Sequence, residues 1–143
     1  MQVWSAFLGS VKARMTEGGT AQAEGRDVSL TIPARPDYLV LARLALSAVC
    51  RLTSLSPEEV ADLKLAITEA ANDFVEDSPP HVEEEQLNFE FRLLDDRLLL
   101  ELNGRAGTQP SVEQELGRAI IDATVDECRF DEGRTLLVKH LAG

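Results

Sequence analysis

The sequence lacks both a long apolar segment and a recognisable metal-binding cluster. A helix that crosses a bilayer needs about 20 consecutive apolar residues, and no apolar run among the 143 residues approaches that length. The N-terminus also lacks the basic and apolar regions of a secretory signal, so we expect a cytoplasmic protein without a membrane partner. Cys50 and Cys128 show no CxxC spacing and no Cys/His cluster, which predicts buried thiols rather than a zinc site.

Positive charge is scarce as well. The chain has 14 basic and 25 acidic residues, which gives a formal net charge of -11. Proteins that bind nucleic acid need a basic stripe to displace counterions, so we expect no nucleic-acid partner. An acidic surface can attract basic proteins, although the same composition also serves plain solubility.

Residues 1–26 are predicted to form a short amphipathic helix followed by a flexible linker. Five apolar residues recur at offsets of 0, 3, 4, 7 and 11, which is the spacing of one helical face. These are Trp4, Phe7, Leu8, Val11 and Met15. The glycine-rich stretch that follows is typical of a linker. The helix is expected to dock on its own domain, to mediate a homodimer or to fray.

Residues 27–143 are predicted to begin with a strand and two helices. In DVSLTIPA, apolar residues alternate with polar ones, which is typical of a strand. PDYLVLARLALSAVCRL is apolar on most faces and therefore predicts a buried helix. A second helix is expected to begin at a capping box of Ser56 and Glu59 and to continue up to the next pair of prolines.

Four strands and one helix are predicted for the second half of the chain. QLNFEFRLL and RLLLELN form a hairpin around Asp95-Asp96. A helix follows, and two short strands then turn at Asp131-Glu132-Gly133. Because the strands cluster in sequence, most of the sheet should be antiparallel. Three helices cover it, which predicts an α+β two-layer sandwich.

The segment ITEAANDFVED places four polar residues on one side of the second helix. They are Glu69, Asn72, Asp73 and Glu76. From the charge pattern alone, the simplest interpretation is a solvated acidic surface. The alternatives are a site for a magnesium-bound nucleotide, or the remains of one, since hard cations take carboxylate oxygens.

From about Val28 to Leu141, the chain resembles the anti-sigma-factor serine kinases of the RsbW and SpoIIAB type, which belong to the GHKL ATPase superfamily. The resemblance is carried by IPARPDYLVLARLALSAVCRL, by EEVADLKLAITEA and by LGRAIIDATVDECRF. It implies a protein that binds a sigma factor, keeps it from RNA polymerase, and phosphorylates a small STAS-type anti-anti-sigma protein on serine. The fold that it implies is the one predicted above.

The resemblance also assigns roles on the second helix. It implies that Glu69 is the general base. The family has a magnesium-binding Asn four residues later, where this sequence has Asp73; Asn72 stands one residue too early. Asp73 can ligate magnesium but adds a negative charge beside the phosphates. ATP and magnesium are therefore the implied cofactors if the pocket works, and none if it does not.

The glycine boxes depart further from the family. The family's adenine-reading Asp falls on Gly104, and Asn103 beside it is the implied substitute. Gly107 belongs to the same box, Gly117 is what remains of the second one, and Thr135 matches a threonine near the adenine. The short segment before the third helix leaves little chain for a lid over a triphosphate.

We therefore expect an anti-sigma regulatory protein of a stress-response circuit, with weakened or lost ATP binding. Arg43, on the first helix, stands where the resemblance implies an arginine that contacts partners. One alternative is an active ATP-dependent serine kinase. A second alternative is a non-catalytic, dimeric interaction module with a different protein partner.

Overall fold

The computed structural model describes residues 3–8, 11–17, 26–75, 85–105 and 111–142. Within these ranges the strands are β1 (Val3–Leu8), β2 (Val11–Glu17), β3 (Arg26–Pro33), β4 (Gln86–Leu93), β5 (Arg97–Asn103), β6 (Glu127–Asp131) and β7 (Arg134–His140). The helices are α1 (Leu39–Cys50), α2 (Pro57–Asn72) and α3 (Ser111–Thr124), and a single 3-10 turn, Pro36–Tyr38, precedes α1. From residue 26 onward, this is the predicted order of elements.

All seven strands of the described ranges form one sheet, in the order β1-β2-β3-β4-β5-β7-β6, and every neighbouring pair is antiparallel. The three helices lie on one face of it. The predicted α+β architecture, an antiparallel sheet covered by helices, is confirmed. None of the helices in the described ranges is both long and apolar enough to cross a membrane.

The core lies between the helices and the sheet. Alternate residues of β4 and β5 point into it, so that Phe89 and Leu100 are 1% exposed and meet the fully buried Leu46 and Leu63 of α1 and α2. Burying one such side chain contributes about 1.5–3 kcal/mol relative to leaving it in water. This covered face fixes the register of the sheet, because a one-residue slip would turn its apolar side chains to the other face.

The opposite face of the sheet is polar. The Ser29 hydroxyl donates to Glu90 Oε1 at 2.9 Å, and Asn88 Nδ2 donates to Thr31 Oγ1 at 3.0 Å. These cross-strand pairs leave each polar group near a partner, which is the pattern of a face without a helical cover.

The start of α2 forms as predicted, but its end does not. The Ser56 hydroxyl accepts the Glu59 N–H at 3.1 Å, and Glu59 Oε1 accepts the Ser56 N–H at 3.3 Å, which is a complete capping box. The helix then ends at Asn72, with Asp73 at its C-cap, well before the prolines. Phe74, the residue after the C-cap, is 6% exposed and belongs to the core.

The helix predicted for the N-terminus is wrong, because this segment forms the hairpin of β1 and β2. In β2 the less exposed Val11 and Ala13 alternate with Lys12 and Arg14, which is the period of a strand. Ala13 pairs with Leu30 of β3 and packs against the core. The predicted linker lies largely in residues 18–25, outside the described residues.

Candidate functional site

A candidate site lies where the end of α2 meets α3 and the β6–β7 turn. A cavity of about 260 Å³ lies there. It is lined by Asp73, Phe74, Gln114, Arg118, Phe130, Asp131, Glu132, Gly133 and Thr135. Of the predicted site residues, Asp73 and Thr135 line this cavity directly.

Glu69 lies one helical turn before Asp73, against the third helix. A β-carbon built on Gly117 would stand 3.3 Å from Glu69 Oε2, so the missing side chain at Gly117 lets α3 approach this carboxylate closely. Gly117 itself is buried, whereas Glu69 is half-buried. The structure therefore brings Glu69, Gly117 and Asp73 close together, and their roles in a nucleotide site stay predictions.

Asp73 is a partly desolvated carboxyl group. Burial raises the pKa of Asp73; the Arg118 guanidinium opposes the shift, and the Glu69 carboxylate adds to it. Asp73 also sits at the C-cap of α2, the negative end of the helix dipole, which disfavours a further negative charge. The described residues hold no group of three or more His, Cys, Asp or Glu side chains placed to bind a metal ion.

The end of β5 supplies no side chain to the cavity. A β-carbon on Gly104 would lie 3.1 Å from Phe74 Cδ1 and 3.2 Å from Leu87 Cδ1, so this position packs against the core. The Gly104 N–H donates to the Gly133 carbonyl at 3.0 Å, which ties β5 to the β6–β7 turn. A side chain at Gly104, where the family has its adenine-reading Asp, would be in tight contact with Phe74 and Leu87.

Asn103 and Thr135 lie on opposite faces of the sheet. Leu102 of β5 is fully buried and pairs with Thr135 of β7, so Thr135 faces the helices. Asn103 is the next residue along the strand and therefore faces the other side, where it pairs with Arg134. The described residues thus do not fit the adenine contact that Asn103 was expected to make.

Seven of the nine residues that line the cavity were not predicted as site residues, and two of these seven contact each other. The guanidinium carbon of Arg118 lies 4.5 Å from the centroid of the Phe130 ring, which is a cation–π contact between α3 and β6. Arg118 stands four residues after Gln114, and this one-turn spacing was a signal that both line one face. Phe130 gave no such signal, because its contact depends on how the sheet packs on α3.

The remaining predicted residues take no part in this cavity. Asn72 is half-buried at the last position of α2 and does not line it. Arg43 lies between α1 and α2, where its Nη1 donates to the Thr68 hydroxyl at 3.3 Å; its contact with a partner stays a prediction. Gly107 and Glu76 lie outside the described residues.

Comparison with known proteins defines the class. The histidine kinase-like ATPase domain family matches residues 32–139, so the chain belongs to this family. The resemblance found in the sequence is confirmed, and the hairpin of β1 and β2 lies outside the matched residues.

Within the family, the chain is similar to serine-protein kinases named RsbW. It is 30% identical to RsbW of Listeria innocua over 92 residues, which are 63% of this chain and 59% of that protein. It is 28% identical to RsbW of Bacillus subtilis over 102 residues, which are 70% of this chain and 64% of that protein. The chain therefore spans about three fifths of the Listeria relative.

Proposed function

We propose that this chain is an anti-sigma regulatory protein that works in a partner-switching circuit and binds ATP weakly or not at all. Its partners are a sigma factor, a STAS-type anti-anti-sigma protein, or both. The observation that carries the proposal is the mismatch within the site. Glu69 and Gly117 keep the close approach of α2 and α3, while the end of β5 offers only Gly104 where the adenine box needs an acid.

Adenine recognition is weakened first. Specific binding of a base requires a fixed polar group at hydrogen-bond distance, and leaving the base unpaired in a buried site costs about 1–3 kcal/mol. Gly104 packs against Phe74 and cannot supply that group. Asn103 faces the other side of the sheet, so it does not substitute. Thr135 remains at the cavity, but a hydroxyl alone discriminates poorly between ligands.

Phosphate binding is weakened second. The cavity presents the carboxylates of Asp73, Asp131 and Glu132 and the single guanidinium of Arg118. A polyphosphate would meet like charges here, which disfavours binding unless a cation screens them. Burial of Asp73 makes the repulsion harder to screen by solvent.

With adenine and phosphate binding weakened, the function proposed for this domain is binding to other proteins. The net charge of -11 favours encounters with basic surfaces and disfavours nucleic acid. Arg43, half-buried on α1, is the residue proposed to contact the partner. A homodimer stays a further proposal.

The alternative is an active ATP-dependent serine kinase. One observation favours it: Glu69, to which the family resemblance assigns the general base, is half-buried and lies against Gly117 of α3. In this alternative, Glu69 would accept the proton of a partner's serine hydroxyl as that oxygen takes the γ-phosphoryl group from ATP and ADP leaves, and Asp73 would hold the magnesium that accompanies ATP. A third proposal, a dimeric interaction module with another partner, keeps the scaffold without either activity.

Calorimetric titration of the full chain with ATP and magnesium tests the proposal. We expect no binding at micromolar concentrations. Micromolar binding, with phosphate transfer to a STAS-type protein that is lost in Glu69→Ala, would establish the kinase instead. Glu58→Ala is the matched control, since it removes the same charge from the exposed start of α2.

Binding to sigma factors and STAS-type proteins from the same genome tests the partner surface. Arg43→Ala is expected to weaken the complex, whereas Arg51→Ala, which removes an exposed charge at the end of α1, leaves it intact. Added ATP should not change the affinity. If no such protein binds, the anti-sigma role is wrong.

A further inference from the structure

The volume and the lining of the cavity between α2, α3 and the β6–β7 turn are not those of a typical nucleotide site. Its volume of about 260 Å³ is below the range of roughly 300–1,000 Å³ that small-molecule sites occupy. Its walls combine carboxylates, one aromatic ring and one hydroxyl. A space of this size and composition suits a single long side chain better than a nucleotide.

The cavity carries more negative than positive charge. Asp73, Asp131 and Glu132 contribute three carboxylates, and the Glu69 carboxylate acts on Asp73 from outside the lining. Arg118 lines the cavity, and Arg129 Nε lies 3.2 Å from Asp131 Oδ2. Burial raises the pKa of Asp73, and the Arg118 guanidinium opposes that shift without cancelling it, so Asp73 is a partly desolvated carboxylate.

A hydroxyl at the cavity wall is also without a partner. Thr135 is 3% exposed and lines the cavity, and no hydrogen bond to its side chain is found among the described residues. Every fully enclosed side-chain nitrogen or oxygen of those residues has a partner, so the Thr135 hydroxyl must be reachable from the cavity. A buried polar group left open in this way is one that a ligand can satisfy.

The Phe130 ring of the cavity already contacts one cation, the guanidinium of Arg118. Arg118 places its guanidinium 4.5 Å from the Phe130 centroid. Cation–π contacts and adjacent carboxylates are the features by which proteins hold arginine and lysine side chains. The cavity therefore contains one such arrangement, built from its own residues, beside the partly desolvated carboxylate of Asp73.

We infer that this cavity is a subsite for one arginine or lysine side chain presented by a protein partner. Asp73 would pair with the incoming cation and the Thr135 hydroxyl would accept its second N–H. Glu132, exposed on the turn, would guide its entry. The inference rests on the proposed function, since it gives the former nucleotide site a role in protein binding.

The test is a titration of the full chain with N-acetyl-arginine amide, followed through the backbone amide signals of Gly133 and Thr135. The neutral isostere N-acetyl-citrulline amide is the matched ligand control. We expect the arginine compound to bind with a dissociation constant of roughly millimolar size, as befits one side chain, and the citrulline compound to leave the signals unmoved. Nα-acetyl-lysine amide, which keeps its charged ε-ammonium group, should shift the same signals.

Two variants locate the site. Asp73→Asn should weaken binding about fivefold, the effect of one partly screened ion pair; Asp62→Asn, which removes an exposed carboxylate from the same helix, should not. Glu132→Gln lies on an exposed turn and keeps the test open if Asp73→Asn fails to fold. Equal binding of citrulline, or no effect of either cavity variant, overturns the inference.

Titration with ATP and magnesium on the same samples separates this inference from the proposed function. If ATP binds at micromolar concentrations and the arginine compound does not, both fall. If neither binds while sigma or STAS-type proteins still associate, the subsite alone is wrong. If inorganic phosphate moves the Gly133 and Thr135 signals, the cavity is an anion site, which also overturns the inference.

Discussion

The β6–β7 turn offers the sharpest test of how the cavity is held together. Gly133 has φ = 75°, a left-handed conformation that costs other residues about 1–2 kcal/mol. A β-carbon there would also stand 2.9 Å from the Gly104 carbonyl oxygen. That oxygen is backbone, so the turn must move, which strains the hydrogen bond from the Gly104 N–H to the Gly133 carbonyl.

Gly133→Ala should therefore lower the free energy of unfolding by about 2–3 kcal/mol, from the conformational cost and about 1 kcal/mol for the hydrogen bond. With a urea slope of about 2 kcal/mol/M, the unfolding midpoint falls by about 1–1.5 M. Far-ultraviolet circular dichroism in a urea series measures it.

Gly133→Asn separates the two causes. Asparagine tolerates the left-handed region, so it should recover about 1 kcal/mol of the loss while keeping the steric contact. Gly104→Ala is the matched control, because its β-carbon would meet the side-chain tips of Phe74 and Leu87, which can shift. An asparagine variant as stable as the parent, or an alanine variant within about 0.5 kcal/mol of it, would refute the reasoning.

Three further predictions concern other parts of the chain. Burial raises the pKa of Asp73, so the native state binds more protons than the unfolded state in the pH interval just above the ordinary aspartate pKa. The free energy of unfolding should therefore fall as the pH rises through that interval. Asp73→Asn should be more stable than the parent above the interval and no more stable below it, as urea unfolding at two pH values will show. Ser56→Ala removes the N-cap of α2 and should cost about 1 kcal/mol in the same assay, with an unchanged value counting against the capping box. Deleting residues 1–25 should expose the edge of β3, lower the stability and promote self-association in light scattering; an equally stable monomer would contradict a covering role for the hairpin.

Most of the fold was predictable because its signals are local. The capping box at Ser56 and the Asp95-Asp96 turn each specify a boundary within four residues. The turn at Gly133 does so through a single backbone conformation. Each signal works without knowledge of the rest of the chain, so the order of elements from residue 26 followed from the sequence.

The N-terminal hairpin was not predictable in the same way. Val11 and Met15 fit one face of a helix, but Val11, Ala13 and Met15 also alternate as in a strand. The pairing of β2 with β3 decides between the two, and pairing partners distant in sequence override a local preference. The Gly9-Ser10 pair between the two apolar runs was the hairpin signal in the sequence.

In the site too, some residues could be predicted from the sequence and others depend on how distant elements pack. Glu69, Gly117 and Thr135 were found because a family resemblance carried them. The contact of Arg118 with Phe130 arises where α3 packs on β6, so no spacing in the chain announces it.

The strand order also separates two spectroscopic signals. The single tryptophan of the chain, Trp4, belongs to β1, whereas Phe130 of β6 walls the cavity at the far end of the sheet. Six strand spacings lie between β1 and β6, or about 29 Å along the sheet at ~4.8 Å each. The tryptophan fluorescence should therefore change when the β1–β2 hairpin is perturbed and stay unchanged when a ligand binds in the cavity. A ligand that changes both the emission and the Gly133 amide signal would reveal communication across the whole width of the sheet.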